Sequence, residues 1–370
     1  MVAAEVRRSN SLSTPATLIS HGGNVVDASR RLGCQPHQII DASASLSPFR
    51  LPCTALIAAC RASLSAYPDT SARSLRDRIA RIHSIDPHFI LPGNGAAELL
   101  TWAARDAGQL GLSQIFQPAF SDYFRALQCW QASAVSSILN LAWQTPVLDR
   151  VPPVPKVPVL WLTNPHNPTG QLWSHDALKS VLSRFSLVIC DEAFLPLVPD
   201  GERQSLIPLV AQHPNLVVIR SLTKLYGIAG LRLGYAVADP HRLKRWASWR
   251  DPWPINAVAG AVGESLLRTP EAYRAWCLRI QRWTAREGAW YRAQLAAIPG
   301  ITPMPSAANF LLLRSDSSLE PLRHALEQRH RILLRDCRSF EGLDERWLRL
   351  GYQSRRRNRR IVSAIRKEWR

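Results

Sequence analysis

The chain of 370 residues carries 46 lysines and arginines against 28 acidic residues, a formal charge of +18. Its 46% hydrophobic and 20% charged residues exclude a disordered or fibrous protein, and its length allows a sizeable core and more than one domain. Such a charge fits either a nucleic-acid partner or a soluble enzyme whose sequence favours arginine, and composition leaves both open.

Residues 1–20 are rich in Ser and Thr, contain two arginines and lack an apolar signal core, so they read as a disordered extension rather than a secretion signal. No apolar run approaches the roughly 18 residues of a membrane helix. The seven cysteines are odd in number, with no C-x-x-C pair and no zinc ligand set, so no metal is expected. Together these features predict a cytoplasmic protein with reduced cysteines.

Further along, LPGNGAAELL (Leu91–Leu100) places glycines before a helix-forming run. Free N–H groups at Gly95, Ala96 and Ala97 would there face an anion such as phosphate. Phe120, in QPAFSDY, is a candidate to stack on a flat ligand. The Pro-rich stretch Thr145–Val159 reads as a surface connection into a strand.

Apolar runs of strand length then recur at Val157–Leu162, Leu187–Cys190, Leu216–Ile219 and Tyr235–Val237. Helix-length segments separate most of them, among them Ser174–Phe185 and Ser205–His213. This alternation predicts buried parallel strands in an α/β sheet, although the last pair can also be a local antiparallel excursion. After Pro254 the pattern changes to long amphipathic helices (Ala257–Arg268, Glu271–Ala297), then strands at Asn309–Arg314 and Arg331–Arg335, the signature of a smaller α+β domain. The run Ser354–Arg360 lies on a predicted C-terminal helix as a solvated charged face.

The polar chemistry sits at the ends of the strands. One is followed by TNPHNPTG, the next ends in Asp191-Glu192, and the third leads into SLTKLYGIAGLRLGY. Ligands of open α/β sheets bind beyond the carboxyl ends of the strands, so Asn167, Asp191 and Lys224 point to one crevice. Lys224 is one of only five lysines, and its amine can form a Schiff base with an aldehyde. Ser221 and Arg232 flank it with a hydroxyl and a guanidinium suited to phosphate. Asp191 can pair with a protonated ring nitrogen and Asn167 can donate to a ring oxygen. The set describes a site for pyridoxal 5′-phosphate, whose protonated ring accepts electrons from a bond breaking at a substrate α-carbon.

In this order and spacing, NPHNPTG, DEAF and SLTKLYGIAGLRLGY resemble the fold-type I pyridoxal-phosphate enzymes of the class I/II aminotransferase superfamily. The resemblance runs from His21 over nearly the whole chain. HGGNVVDASRRLG (His21–Gly33), YPD at Tyr67–Asp69, LPGNGAAELL, DEAF and ILLRDCRSFEGL are similar to the L-threonine-O-3-phosphate decarboxylases of cobalamin synthesis, cousins of the histidinol-phosphate aminotransferases. The resemblance implies an N-terminal segment (21–45) packing on the small domain and the active site. It also implies a large cofactor domain (46–255) with a mixed, mostly parallel sheet, and a small α+β domain (256–370). Lys224 would be the Schiff-base lysine, Asp191 the partner of the ring nitrogen, Asn167 that of the ring hydroxyl, and Phe120 the stacking residue. Gly95, Ala96, Ser221 and Arg232 would bind the cofactor phosphate, with Tyr67 reaching it from a second subunit of a homodimer. Arg349 would hold the substrate carboxylate, while Arg335, His21 and Gly22 would take the substrate's own phosphate.

The same residue list serves decarboxylation or transamination, because the bond that breaks is the one held perpendicular to the ring plane. Phe194, a tyrosine in many related transaminases, and the HGGN segment tip the resemblance towards decarboxylation. DASASLSP (Asp41–Pro48) departs from the family's DFSANINP by placing Ser45 and Ser47 at two asparagine positions, and no second arginine follows Arg349 until Arg355. Three readings result: a decarboxylase of a small phosphorylated amino acid, a transaminase of such compounds, and a basic nucleic-acid-binding or scaffolding protein on the same fold. The assembled site makes the nucleic-acid partner unnecessary.

Overall fold

The computed structural model describes residues 22–369; the extension expected at residues 1–20 and the site candidate His21 lie outside the described residues. Seven strands make the central sheet: β1 (Ile90–Asn94), β2 (Ser113–Gln117), β3 (Ala134–Ile138), β4 (Val159–Thr163), β5 (Leu187–Asp191), β6 (Leu216–Ser221) and β7 (Leu233–Ala238). Their order is β1-β7-β6-β5-β4-β2-β3. All neighbours are parallel except that β7 runs antiparallel to both β1 and β6, which settles the alternative left open for the last pair.

The continuous apolar runs are explained by burial on both faces. Leu160, Leu162, Val188, Cys190 and Val218 pack into one core layer, while Val159, Trp161, Leu187, Ile189, Val217 and Ile219 alternate into the other. A strand covered on both sides by apolar layers has no polar face to display. The fold is therefore the expected α/β architecture with a mixed, mostly parallel sheet.

Two expected helices are shorter than their sequence pattern. Within Ser174–Phe185 the helix covers only His175–Lys179, followed by a 3₁₀ turn at Leu182–Arg184. Ser174 caps it, but the Ser180 hydroxyl donates to the Ala177 carbonyl at 2.7 Å and competes with the helical ladder. The helix expected over Ser205–His213 is only a 3₁₀ turn at Ile207–Leu209. There the Leu206 N–H is taken by Glu192 Oε1 and the Ile207 N–H by Ser205 Oγ, and Pro208 offers no donor. Elsewhere the helices Ala257–Leu266, Pro270–Ala296 and Arg355–Glu368 match expectation. Arg356, Arg357, Arg359 and Arg360 form the exposed face of the last helix, and Ile361, Val362 and Ile365 its buried face.

A second sheet orders β8 (Thr302–Pro303), β9 (Phe310–Arg314), β11 (Trp347–Gly351) and β10 (Arg335–Asp336), all antiparallel. The expected strand Arg331–Arg335 is split. Ile332 and Leu333 pair in parallel with Ile40 and Asp41, whereas Arg335 turns to pair with Arg349. The segment before the large sheet thus connects directly to the strands that carry both arginines.

Beneath the strand ends lies a buried ion network. Arg220 on β6 is 1% exposed and donates to Glu192 Oε2 at 2.8 Å and to Glu202 Oε1 at 2.9 Å. Tyr273 adds a hydrogen bond to Glu202, and His83 meets the Tyr235 hydroxyl at 2.8 Å. Replacing Arg220 with Met should strand Glu192 in a dry interior and remove about 3–5 kcal/mol of unfolding free energy, measured in urea titrations at pH 7. A loss below about 1 kcal/mol would mean that the pair behaves like a solvated surface bridge.

Candidate active site

The sheet register sets the candidate residues side by side. Thr163 is paired with Asp191, Asp191 with Ile219, and Ser221 with Gly234, so β4 and β5 end level and β6 runs two residues further to Ser221. The loop after β4 is tied down locally. The Asn164 N–H donates to the Asp191 carbonyl at 2.8 Å, and the Asn164 side chain accepts from the Trp173 N–H at 3.0 Å. His166 and Thr169 join side chains at 2.9 Å. These bonds present Asn167 from a fixed turn.

Asp191 is buried, with Oδ2 accepting from the Tyr123 hydroxyl and Oδ1 from the Ala193 N–H, at 2.8 and 2.9 Å. Burial pushes its carboxyl above the ordinary range, and the Tyr123 hydrogen bond works against that rise. A protonated heterocyclic nitrogen beside it would favour its charged form. Tyr123, which also meets Thr163 Oγ1 at 2.8 Å, is a functional residue that sequence reasoning missed. The signal was present in QPAFSDY, three residues after Phe120. Phe120 itself packs edge-on to the Tyr123 ring at 5.6 Å.

Ser221 ends β6 and caps the short helix Leu222–Tyr226, its hydroxyl accepting from the Thr223 N–H at 3.2 Å. Lys224 rises from that helix and donates to the Ala44 carbonyl at 3.3 Å, with the Phe194 ring 5.4 Å from its amine. Across the sheet, β1 feeds the helix Gly95–Leu110, whose first residue has φ +74°. A Cβ on Gly95 would stand 2.8 Å from Arg232 Nη2, so glycine is what lets that guanidinium lie against the helix start. Gly234 pairs with Ser221, and a Cβ on it would stand 2.9 Å from the Ala96 nitrogen, so the start of this helix and Arg232 lie beside the end of β6. The donor set fits a flat phosphorylated heterocycle bearing an aldehyde.

On the far side, β10 and β11 pair Arg335 directly with Arg349. Arg349 Nη1 donates to Asn167 Oδ1 and Nη2 to the Ser43 carbonyl, while its buried Nε has no hydrogen-bond partner among the described residues. Arg335 is 4% exposed and donates to Ser339 Oγ at 2.7 Å. Neither guanidinium makes an ion pair among the described residues. Burial, and then the charge of Arg335, bring Arg349 down to about 10; burial also lowers Arg335. Phe194 and Phe310 meet edge to face at 5.1 Å and form an apolar wall, with Arg349 4.9 Å from the Phe310 ring.

Gly22 belongs to the same neighbourhood, packed against the Ser43 carbonyl that Arg349 also holds. Tyr67 does not. It is 79% exposed and stacks on Trp253 with ring centroids 4.4 Å apart.

A family model described as aminotransferase class I and II matches residues 50–365. The chain belongs to the aminotransferase class I and II family. It is 34% identical to the threonine-phosphate decarboxylase of Salmonella typhimurium, over 94% of this chain and 96% of that one. It is 31% identical to the histidinol-phosphate aminotransferase of Symbiobacterium thermophilum, over 93% and 94%. Among solved structures, the L-threonine-O-3-phosphate decarboxylase from Porphyromonas gingivalis superposes with a TM-score of 0.77 at 24% identity, covering 89% of this chain and 99% of that chain. This last likeness speaks for the shared fold. The superfamily resemblance carried by NPHNPTG, DEAF and SLTKLYGIAGLRLGY is borne out.

For a member of this family, the amine of Lys224 has an informative environment. Burial, then the charges of Arg349 and Arg232, lower it from 10.5 to about 8, against the opposing pull of Asp191 and Asp41. Borohydride trapping of a small aldehyde on the cofactor-free protein should therefore titrate with a midpoint near 8; a midpoint near 10.5 would mean a solvated amine. The linked stability has a definite sign. Between pH 8 and 10.5 the unfolded chain holds a proton that the folded amine has released, so stability rises with pH across that window, and below it the full penalty of burying the charge applies.

Proposed function

We propose that the chain is a pyridoxal-phosphate-dependent decarboxylase that converts L-threonine O-3-phosphate to (R)-1-aminopropan-2-yl phosphate, a step of cobalamin synthesis as the sequence resemblance implies. The observation that carries this reading is the Arg335–Arg349 pair: two buried guanidiniums on paired strand positions, neither in an ion pair among the described residues, with only the more distant charges of Asp336 and Asp41 opposing them. Like charges so placed are unfavourable until an anion joins them. A substrate with a carboxylate at one end and a phosphate at the other supplies two anionic groups for two cations. The similarity to threonine-phosphate decarboxylases over nearly the full chain supports the same substrate.

When bound, pyridoxal phosphate supplies a cationic ring that draws electrons from the bond breaking at the substrate α-carbon. The chain's own residues do the rest. Asp191, fixed by Tyr123 and Ala193, holds a proton on the ring nitrogen. Arg349 engages Asn167 through Nη1, which commits that amide oxygen and leaves its NH₂ to donate to the ring hydroxyl. Gly95, Ala96, Ser221 and Arg232 would hold the cofactor phosphate, and Phe120 would stack on the ring. Arg349 would grip the substrate carboxylate through its Nε, which has no partner among the described residues, and Arg335 would take the substrate phosphate beside Gly22, His21 being assigned there by the sequence resemblance alone. The Cα–carboxyl bond breaks, CO₂ leaves, and Lys224 Nζ delivers the proton that replaces it. Phe194 and Phe310 keep water from that proton and add no hydroxyl of their own.

Transamination is the second reading, favoured by the 31% identity with a histidinol-phosphate aminotransferase. We further read the protein as a cytoplasmic homodimer in which Tyr67 reaches the partner's cofactor phosphate. Among the described residues no helix is long and apolar enough to cross a membrane. The exposed side chains Leu56, Ile57, Leu64 and Tyr67 offer an apolar face suited to a second subunit.

Purified holoenzyme given L-threonine phosphate should release CO₂ with no 2-oxo acid present, and Lys224→Ala should abolish the release. Arg335→Ala should weaken substrate binding roughly 10- to 100-fold by removing charge-assisted hydrogen bonds to phosphate. Strict dependence on a 2-oxo acid would select transamination instead.

A further inference from the structure

The segment before the large sheet is stitched to both halves of the site. Ile40 and Asp41 pair with Ile332 and Leu333, two residues short of Arg335. The Gly351 N–H donates to the Ala42 carbonyl at 2.7 Å, just beyond Arg349, and Gln353 donates to the Asp41 carbonyl at 3.0 Å. Lys224 Nζ reaches the Ala44 carbonyl, and the Ser47 N–H returns to the Lys224 carbonyl at 3.1 Å.

Ser43 is the centre of this stitching, and each of its polar groups is used. Its N–H and its hydroxyl both donate to Asp41 Oδ1, at 2.8 and 2.6 Å. The same hydroxyl oxygen accepts from the Gly23 N–H at 2.9 Å. Its carbonyl accepts from Arg349 Nη2 at 2.8 Å. Gly22 lies so close that a Cβ there would stand 2.4 Å from that carbonyl oxygen. No side chain fits in such a space, so this contact requires glycine. One residue, 5% exposed, therefore ties the N-terminal turn at Gly22–Asn24 to the guanidinium that faces the substrate.

We propose that Ser43, oriented by Asp41, is a positioning residue that locks the Gly22–Asn24 turn to Arg349 and so sets substrate affinity. The Asp41 carboxylate fixes the hydroxyl rotor, which turns its lone pair to Gly23. The Ser43 carbonyl occupies Nη2 of Arg349 and, with Asn167 on Nη1, fixes the plane of the guanidinium. Substrate then meets a preformed guanidinium with the turn already seated beside it, which lowers the ordering cost of binding. No proton or bond of the substrate passes through Ser43, so its effect belongs in KM rather than kcat. The kinetic part rests on the substrate reading above; the lock itself does not.

Two measurements on holoenzyme separate these parts. Amide hydrogen exchange of residues 22–31 should quicken about five- to tenfold in Ser43→Ala, the scale of one neutral hydrogen bond, and return to the wild-type rate in Ser43→Thr, which keeps the hydroxyl. In the same Ala variant KM for L-threonine phosphate should rise about five- to tenfold, with kcat within about twofold and the cofactor absorbance unchanged, and Thr should restore KM. Unchanged exchange in Ser43→Ala overturns the lock. A Thr variant that behaves like Ala also overturns it, since shape rather than the hydroxyl would then matter. A fall in kcat with KM preserved would make Ser43 part of the chemistry and overturn the positioning role. Wild-type enzyme that leaves L-threonine phosphate untouched would sink the substrate reading alone, and the exchange rates would still decide the lock.

Discussion

Arg335 and Arg349 face each other across adjacent strands, buried and without an ion-pair partner among the described residues, and most of the site's properties depend on that arrangement. Folding alone does not favour it. Desolvating two guanidiniums and holding them together raises the free energy of the folded chain; burial depresses the pKa of both, and the charge of Arg335 depresses that of Arg349 further. The surrounding structure holds them nonetheless, because β11 is fixed on both sides by β9 and β10 and carries Leu348 and Leu350 into the main core. On the proposed reading, an anionic ligand would recover what folding left unfavourable and so bind more strongly than it would to a solvated pair of arginines.

The large sheet contributes a different kind of constraint. Its strands are apolar on both faces, so polar residues cluster at their ends, where Asp191, Ser221 and the loop carrying Asn167 emerge from neighbouring strands. The buried Glu192–Arg220–Glu202 network lies one residue away from both Asp191 and Ser221. It joins β5 to β6 where a loose strand end would let the two side chains drift. The chemistry is thus held by strand termini whose neighbours are locked, rather than by mobile loops.

This division also explains what the sequence revealed. The central strands were legible because continuous apolar runs have one explanation, burial on both faces, and Asn167, Asp191, Lys224 and Arg232 because they occur at the ends of those runs. The helices expected at Ser174–Phe185 and Ser205–His213 were not, since side-chain hydroxyls and the Glu192 carboxylate intercept the backbone donors and acceptors that a periodicity argument assigns to a helix. Tyr123 and Ser43 escaped for a related reason. Their roles arise from partners 68 and 20 residues away, Asp191 and Gly23, and no local pattern encodes such a pairing. The large positive charge has a divided origin as well. Arg335 and Arg349 face the site, whereas the exposed arginines of the last helix are the polar side of an amphipathic surface element.

The arginines also link binding to proton transfer. Lys224 is depressed to about 8 by burial and by the charges of Arg349 and Arg232. That depression raises the neutral amine, the form able to attack an aldehyde, from a few parts in ten thousand to about a tenth of the molecules at pH 7. On the proposed reading, a carboxylate on Arg349 and a phosphate on Arg232 would oppose those charges, and Coulomb's law then gives the sign: the amine's affinity for a proton would rise. The same lysine is therefore a better nucleophile before the anions are seated and a better proton carrier afterwards. A solvent-screened lysine would show neither change, because the arginines would not be felt at its nitrogen. Burial of Lys224 among cations, with Asp191 and Asp41 as the opposing charges, is what would let one amine serve both steps of the proposed reaction.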